Sequence, residues 1–455
     1  MNDTRQKNRF FRSVMQIAIP VALQSMLQSS FAMIDQLMVG RLGSVSVAAV
    51  EVAGRPPFIY SVVLGAVASI TGIMIAQYLG SGDMKAADRS LSVNLTAVTA
   101  LAAVFMVLCL MLPEPIVRIY TKDPQIIEAG TEYLKLIAWT YVPMGLSSVL
   151  AVMIRCMDRA AYPLYAGIAS ALVNTFLNYL LIFGRCGFPE LGVTGAAAAS
   201  VISQLVNAGI ILILFIKIQK QRKESFCFSV RLGRAGFIQY LVMLMPVVVN
   251  EFLWSLGQNV NTFIYGHIGT EALAAMSLTG PVQGLFIGAL SGLSQAAGIL
   301  IGKQLGAGKY EQAYAQSKKL VWYGFAGSLI LSGLLLVLCR PYTHLYNVEP
   351  QVRTTAAYLL AAFAVLAPVK VANMILGGGI LRSGGKTFYL VIIDMTGTWL
   401  VGAPLGLLTA FVFHLPVTWV YFILSQEELV RLLITFAVFR KKKWMDSISD
   451  QEVLL

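Results

Sequence analysis

An all-α, polytopic membrane protein, with twelve transmembrane helices in two homologous six-helix lobes, is the fold class this sequence predicts. Three observations carry the prediction. First, 57% of the 455 residues are hydrophobic and only 12% charged, where an ordinary soluble protein has about 25% charged; the mean hydropathy is +0.73. Second, apolar windows of about 20 residues, long enough to cross a bilayer core, occur twelve times. Third, a shift of 226 positions, without a gap, carries Pro20 onto Pro246, Gly40 onto Gly266 and Gly43 onto Gly269. The same shift carries Ala48-Ala49 onto Ala274-Ala275, Gly54 onto Gly280, Gly72 onto Gly298, and Leu79-Gly80-x-Gly82 onto Leu305-Gly306-x-Gly308. One offset held over more than sixty residues marks an internal repeat.

The first lobe, 1–216, opens with the polar, basic stretch Met1 to Arg12. The apolar run that follows has no small-residue cleavage site, so it reads as a retained first helix and not a signal peptide. Its expected spans are 14–38, 56–79, 91–112, 133–154, 162–183 and 193–216. A basic connector, 217–237, follows, built on the Lys- and Arg-rich segment Lys217 to Arg234. The second lobe, 238–440, holds spans 238–262, 280–302, 320–339, 355–381, 387–411 and 417–439, and 441–455 is the tail. Pro20, Pro143, Pro246, Pro368, Gly377-Gly378-Gly379 and Pro404 interrupt the spans. Proline removes a backbone donor and clashes with the carbonyl one turn back, so each marks a kink or hinge.

Orientation follows from the positive-inside rule. With a cytoplasmic N-terminus, 24 of the 34 Lys and Arg face the cytoplasm and eight face outward, while Lys370 and Arg431 lie inside spans. Both termini are therefore expected in the cytoplasm. The net charge of +12 is then met by anionic lipid at the cytoplasmic surface, and no nucleic-acid partner is expected. Six spans per lobe give both lobes the same orientation, so the repeat is parallel and the substrate cleft is expected between the halves.

Ionisable groups inside a membrane are functional-site candidates by default. Five acids lie within the spans: Asp35, Glu251, Asp394, Glu427 and Glu428. Glu427 and Glu428 have Arg431 three to four residues on, on the same helical face, and read as a locally neutralised structural group. Asp35, Glu251 and Asp394 have no base within a helical turn. Each is either held neutral by burial or ionised beside a bound cation, and either state serves ion coupling. Glu251 is surrounded by Asn250, Trp254, Gln258, Asn259 and Asn261, an unusually polar face. Asn174 and Asn178, four apart, share one face of the fifth span. Lys370, near Asn373, either pairs with an acid across the bundle or snorkels to an interface. Asp35 falls on Asn261 in the repeat, so the polar centres of the halves have diverged.

Several chemistries are excluded. The sequence holds no Walker-type GxxxxGK[ST] and no HExxH. His267, His344 and His414 are scattered near loop ends, and the five cysteines show no CxxC or metal-ligand spacing. No enzyme is expected, and no cofactor; uphill transport would draw on an ion gradient.

The chain resembles the multidrug and toxic compound extrusion (MATE) family of bacterial type, with features of its NorM-like and DinF-like branches. The resemblance runs from about Phe11 to Arg440. Its local patterns are Ile34-Asp35-x4-Gly40-x2-Gly43 with Ala48-Ala49, Gln77-Tyr-Leu-Gly80-x-Gly82, Lys303-Gln-Leu-Gly306-x-Gly308, Arg155-x2-Asp158, Gly195-Ala-Ala-x2-Ser200 and Arg382-Ser-Gly-Gly-Lys386. The resemblance implies a secondary active exporter in the cell membrane, the inner membrane of a bacterium. It would exchange small organic cations or amphipathic compounds for inward Na⁺ or H⁺, by alternating access between two lobes, as a monomer among membrane lipid. The family's first-span acid falls on Asp35. Its fifth-span motif matches at Asn174, but the second acid of some members is Asn178 here, and a Tyr before the first-span acid is Phe31. The NorM-like seventh-span Glu would lie nearer Trp254, with Glu251 one turn earlier; the tenth-span acid is absent near Val371. Glu251 and Asp394 are thus expected to hold the coupling cation, Na⁺ in particular, with help from Asn250, Gln258 or Asn261. Asn174, Asn178, Ser200 and Trp254 complete the expected support for substrate and ion. The alternative is a flippase for lipid or lipid-linked precursors, which shares the architecture and would need a more cationic cleft; Lys370 alone points that way.

Overall fold

In hydrocarbon every backbone N–H and C=O needs a partner, and a helix supplies one within its own segment. A computed structural model describes residues 2–222, 226, 228–230, 234–346 and 348–447, the side chains of 2–7 and 235 excepted. Of the expected connector 217–237, residues 223–225, 227 and 231–233 lie outside the described residues, as does 448–455 of the expected tail. The described residues contain helices and no strand. The first half comprises α1 (Asn2–Gly40), α2 (Ser44–Ala53), α3 (Arg55–Ser81), α4 (Met84–Met111), α5 (Pro113–Arg118), α6 (Pro124–Ile137), α7 (Tyr141–Cys156), α8 (Ala161–Phe183) and α9 (Gly192–Lys220). The second comprises α10 (Arg234–Ile268), α11 (Thr270–Gly306), α12 (Tyr310–Thr343), α13 (Pro350–Asn373), α14 (Phe388–Asp394), α15 (Ala403–Leu407), α16 (Val417–Leu424) and α17 (Glu427–Arg440).

Among the described residues, eleven helical stretches are long and apolar enough to cross a membrane. The twelfth expected span, 417–439, is two helices: a turn at Ser425 and Gln426 separates α16 from α17. The polar run Ser425-Gln-Glu-Glu428 sits at that turn, where side chains compete for backbone groups. The repeat survives in the backbone. α2 and α11 begin at Ser44 and Thr270, and α4 and α12 at Met84 and Tyr310, both pairs 226 apart. Gly82 and Gly308, in the turns before α4 and α12, adopt φ of 83° and 68°, a region open to glycine and strained for other residues. The halves differ where Arg55-Pro56-Pro57 interrupts the first copy: α2 stops before it, whereas α11 runs unbroken through Pro281.

The prolines and glycines of the spans sit in different settings. Ahead of Pro143 the chain tightens into a 3₁₀ turn, Ala138–Thr140, where the missing donor of Pro143 would have bonded. Pro20 and Pro246 lie inside α1 and α10. Downstream of Pro368 the helix widens into a π-helical stretch, Met374–Leu381, containing the three glycines. Two more, Met395–Gly402 and Leu408–Val412, flank the short α15 that carries Pro404. Such wide turns are frequent at functional sites.

The chain divides into two compact units. One holds Leu23–Ile75 and Asp83–Gly233. In it α8 lies along α9, and Val39, Ile182 and Ala196 form a core with Met38, Leu42, Val50, Tyr133 and Phe183 around it. The other unit holds Met1–Ala22, Ala76–Gly82 and Arg234–Leu454. Here α12 and α11 pack on α13, and α10 on α14. Within this second unit the ends of α3 and α11 cross backbone to backbone. A Cβ on Gly80 would strike the backbone of Lys303, and one on Gly306 that of Gln77. Gln77 and Lys303 are themselves repeat equivalents, so the crossing is reciprocal. After α17 the chain turns back. Trp444 is fully buried, stacks on Phe439 at 5.7 Å, and donates from Nε1 to the Phe439 carbonyl at 3.2 Å.

Candidate functional site

In the first unit α1 and α8 bring Asp35 to the two amides expected to support it. Asn178 donates from Nδ2 to Asp35 Oδ1 at 2.7 Å. Asn174 is placed with its amide nitrogen toward the same carboxylate, 2.7 Å from Oδ1 and 3.1 Å from Oδ2. The opposite placement would set two oxygens face to face without a hydrogen between them. Asn174 and Asn178 are buried, and Asp35 is half-buried. Their spacing along α8 gives them one face, and α9 supports that face: Ser170 donates to the Ser203 carbonyl at 2.7 Å, and Ser203 donates to the Ser200 carbonyl at 2.9 Å. Ser200 thus enters through its backbone oxygen, and Ser203 is the serine beside Asn174. Among the described residues no cation pairs with Asp35.

The second unit builds a larger polar centre. A cavity of about 340 Å³ is lined by Asn250, Glu251, Trp254, Gln258, Asn261 and Asp394, so the expected residues of α10 and α14 meet in one place. Asn250 donates to Asp394 Oδ2 at 2.8 Å. Asn259, on the same helix, instead donates to its own backbone at Ser255.

Neither acid is alone. Arg382, beyond the first π-helical stretch, reaches Glu251 Oε1 at 3.4 Å. Arg431 of α17 lies 3.6 Å from Asp394 Oδ1, 3.6 Å from Glu427 and 3.8 Å from Glu428, and it also donates to Thr398. Three carboxylates therefore share one guanidinium. The α17 group is not self-contained, as its local spacing suggests, but closes one wall of this cavity. Asn373 ties it to α13, donating to the Glu428 carbonyl and to Oε2 at 2.7 and 2.9 Å. The π-helical stretches make room for these long side chains. A Cβ on Gly397 would overlap the stem of Arg431, and one on Gly402 would overlap Glu427. Asp394 and Asn373 are each the residue immediately before a π-helical stretch.

Among the described residues no group of three or more His, Cys, Asp or Glu has the arrangement of a metal site. A cation between Glu251 and Asp394 would contend with two guanidinium groups. The neutral oxygens at hand are those of Asn250, Gln258 and Asn261.

Comparison with known proteins settles the family. The MatE family model matches residues 20–180 and 246–408, two segments whose starts are again 226 apart. The chain belongs to the MatE family. Members of the MatE family are transporters and not enzymes. The chain is 27% identical over 444 residues to a probable multidrug resistance protein NorM of Rhizobium meliloti, covering 94% of this chain and 93% of that one. In three dimensions it is similar to a variant of the Vibrio cholerae MATE transporter VcmN, with a TM-score of 0.87 at 15% identity over 96% of this chain and 99% of that one. It is also similar to a transporter of the MOP superfamily from Pyrococcus furiosus, described as having a binding pocket of reverse polarity. That match has a TM-score of 0.84 at 16% identity, over 94% of this chain and 95% of that one. At these identities the structural likenesses speak for the MatE fold: an all-α membrane protein of two six-helix lobes.

Proposed function

We propose that the chain is a secondary active exporter of cationic or amphipathic small molecules, driven by exchange for Na⁺ or H⁺, with Asp35 as the coupling acid of the first lobe. One observation carries the reading: a half-buried carboxylate in a membrane helix receives two amide hydrogen bonds and, among the described residues, no cation. Asn174 and Asn178 hold both oxygens in place without neutralising them, so a proton or a small cation binds there and leaves again. The NorM relative, named for multidrug resistance, supports export of drug-like compounds. Glu251 and Asp394 form a second candidate centre for the coupling ion. There Arg431 acts as a tethered counter-ion that an entering Na⁺ would have to displace from Asp394. The basic connector 217–237 and both termini are assigned to the cytoplasm, on the bias of Lys and Arg.

The test is transport by the purified protein in vesicles, using tetraphenylphosphonium with a Na⁺ gradient, a pH gradient, or neither. Efflux under one gradient and its loss when that gradient is dissipated are expected; transport indifferent to both would overturn the reading. A flippase for lipid-linked precursors is the second reading. Lys370, Arg382 and Arg431 on the cavity wall favour it, but four carboxylates share that wall, which suits a polyanionic headgroup poorly.

A further inference from the structure

Asn174 has a partner at each end of its amide. The near end lies 2.7 and 3.1 Å from the two oxygens of Asp35 and 3.2 Å from Asn178 Nδ2. The far end lies 3.4 Å from Ser203 Oγ, close enough that amide and hydroxyl must agree on which of them donates. Asn174, Asn178 and Ser203 are buried, and all of these residues belong to the first unit. Ser203 is itself held by Ser170, which donates to its carbonyl at 2.7 Å. Among the described residues no cation pairs with Asp35, and Tyr133 of α6 is a titratable side chain within electrostatic reach of it.

A carboxylate accepts hydrogens and gives none, whereas a carboxylic acid has one to give. While Asp35 is ionised, the nitrogen of Asn174 faces it. The amide oxygen then faces Ser203, which meets it by turning its hydroxyl hydrogen that way. Once Asp35 is protonated, the amide oxygen can take the near end, because 2.7 Å is an ordinary length for an O–H···O bond. Asn178 Nδ2 then donates to the same oxygen, and the Asn174 nitrogen faces Ser203 Oγ. The Ser203 hydrogen goes instead to the Ser200 carbonyl, 2.9 Å away. Asp35, Asn174 and Ser203 are matched in both states, with opposite orientations of the amide. A hydroxyl serves both, since it donates and accepts, and the amide reverses by rotation about χ2, a broad torsion. We propose that Ser203 is a positioning residue for the coupling acid: the Asn174 amide turns over as Asp35 gains or loses its proton, and the Ser203 hydroxyl turns with it. Asp35 gains the one proton that changes hands; the other hydrogens stay on their own atoms and change direction. The proton state of α1 is thereby passed through α8 to a backbone carbonyl of α9. This role rests on Asp35 being the coupling acid and on a proton being what it exchanges.

The experiment is infrared difference spectroscopy of the full chain in lipid nanodiscs, acidic buffer against alkaline, with asparagine carrying ¹³C at the side-chain carbonyl. Wild type should show a carboxyl band at acidic pH that Asp35→Asn removes. It should also show a pair of label-sensitive amide bands that Asn174→Ala removes. Ser203→Ala is expected to keep the carboxyl band and lose the amide pair, since neither orientation then has a partner at the far end. Ser203→Thr, which restores a hydroxyl, should keep both. A purely structural serine would leave the amide pair untouched in Ser203→Ala. That result, or a wild-type carboxyl band without the amide pair, would overturn the role of Ser203. A missing carboxyl band would overturn it too, by showing that Asp35 exchanges no proton. Gradient-driven efflux of tetraphenylphosphonium by the wild-type protein, measured in parallel, judges the export reading separately. Efflux with the carboxyl band and no amide pair sinks the Ser203 proposal alone, and both sets of bands without efflux sink the export reading alone.

Discussion

Asp35 differs from every other membrane acid of this chain in what holds it. Its two amide donors fix geometry but carry no charge, whereas Glu251, Asp394, Glu427 and Glu428 each have an arginine. Asp35→Asn keeps the shape and removes the titratable group, so gradient-driven efflux should vanish while expression and thermal stability persist. Efflux at the wild-type rate would make Asp35 structural. Arg431 predicts the opposite pattern. Arg431→Met leaves three carboxylates around an empty place, and breaking a buried ion pair from one side destabilises by about 3–5 kcal/mol. The purified variant should lose thermal stability before any question of transport arises. Asp394→Asn in the same background should recover part of the loss; if the double variant is no more stable than Arg431→Met alone, the two groups do not interact.

Among the elements, α1 and α10 carry matched prolines, Pro20 and Pro246. If bending at Pro20 gates access, Pro20→Ala restores a backbone donor, stiffens α1 and slows turnover with little change in substrate affinity, as expected of a conformational step. Transport rate and binding on one preparation decide it, and an unchanged rate removes the hinge. The crossing of α3 and α11 is a different case, a fixed joint. Its glycines let two backbones touch, and overpacking such a joint destabilises by about 1–3 kcal/mol or more. Gly306→Ala and Gly80→Ala should each lower the melting temperature, because each Cβ meets backbone and not a movable side chain. A variant as stable as wild type would show that the helices separate freely.

For the whole molecule, the repeat and the charge bias make a prediction about orientation. Cys186 is exposed in the loop between α8 and α9, on the side assigned to the exterior. Cys109, Cys156 and Cys339 are buried. In cells carrying the Cys227→Ser variant, a membrane-impermeant maleimide should label Cys186 without lysis. Labelling that appears only in inverted vesicles would reverse the topology.

Much of this protein was legible in one dimension because its solvent is a bilayer. Hydrocarbon forces each backbone segment to satisfy itself, so the fold class and eleven of the twelve expected spans follow from apolar length, and duplication leaves an offset that a ruler finds. Asp35 and the Asn174–Asn178 pair were legible for a related reason: polar groups in apolar helices are few, and four-residue spacing sets a shared face. The division of the last span at Ser425 and the π-helical widening after Asn373 and Asp394 were not legible. Both depend on side chains from other helices competing for backbone and space. The partners of Glu251 and Asp394 were hidden for the same cause. Arg382 and Arg431 lie 131 and 37 positions away, and no helical periodicity links residues that only packing brings together. By itself the sequence determined the helices, the repeat and the acids, all set by local interaction with lipid. Only the tertiary structure decided which acids are paired, because an ion pair is a distance in space and not a spacing along the chain.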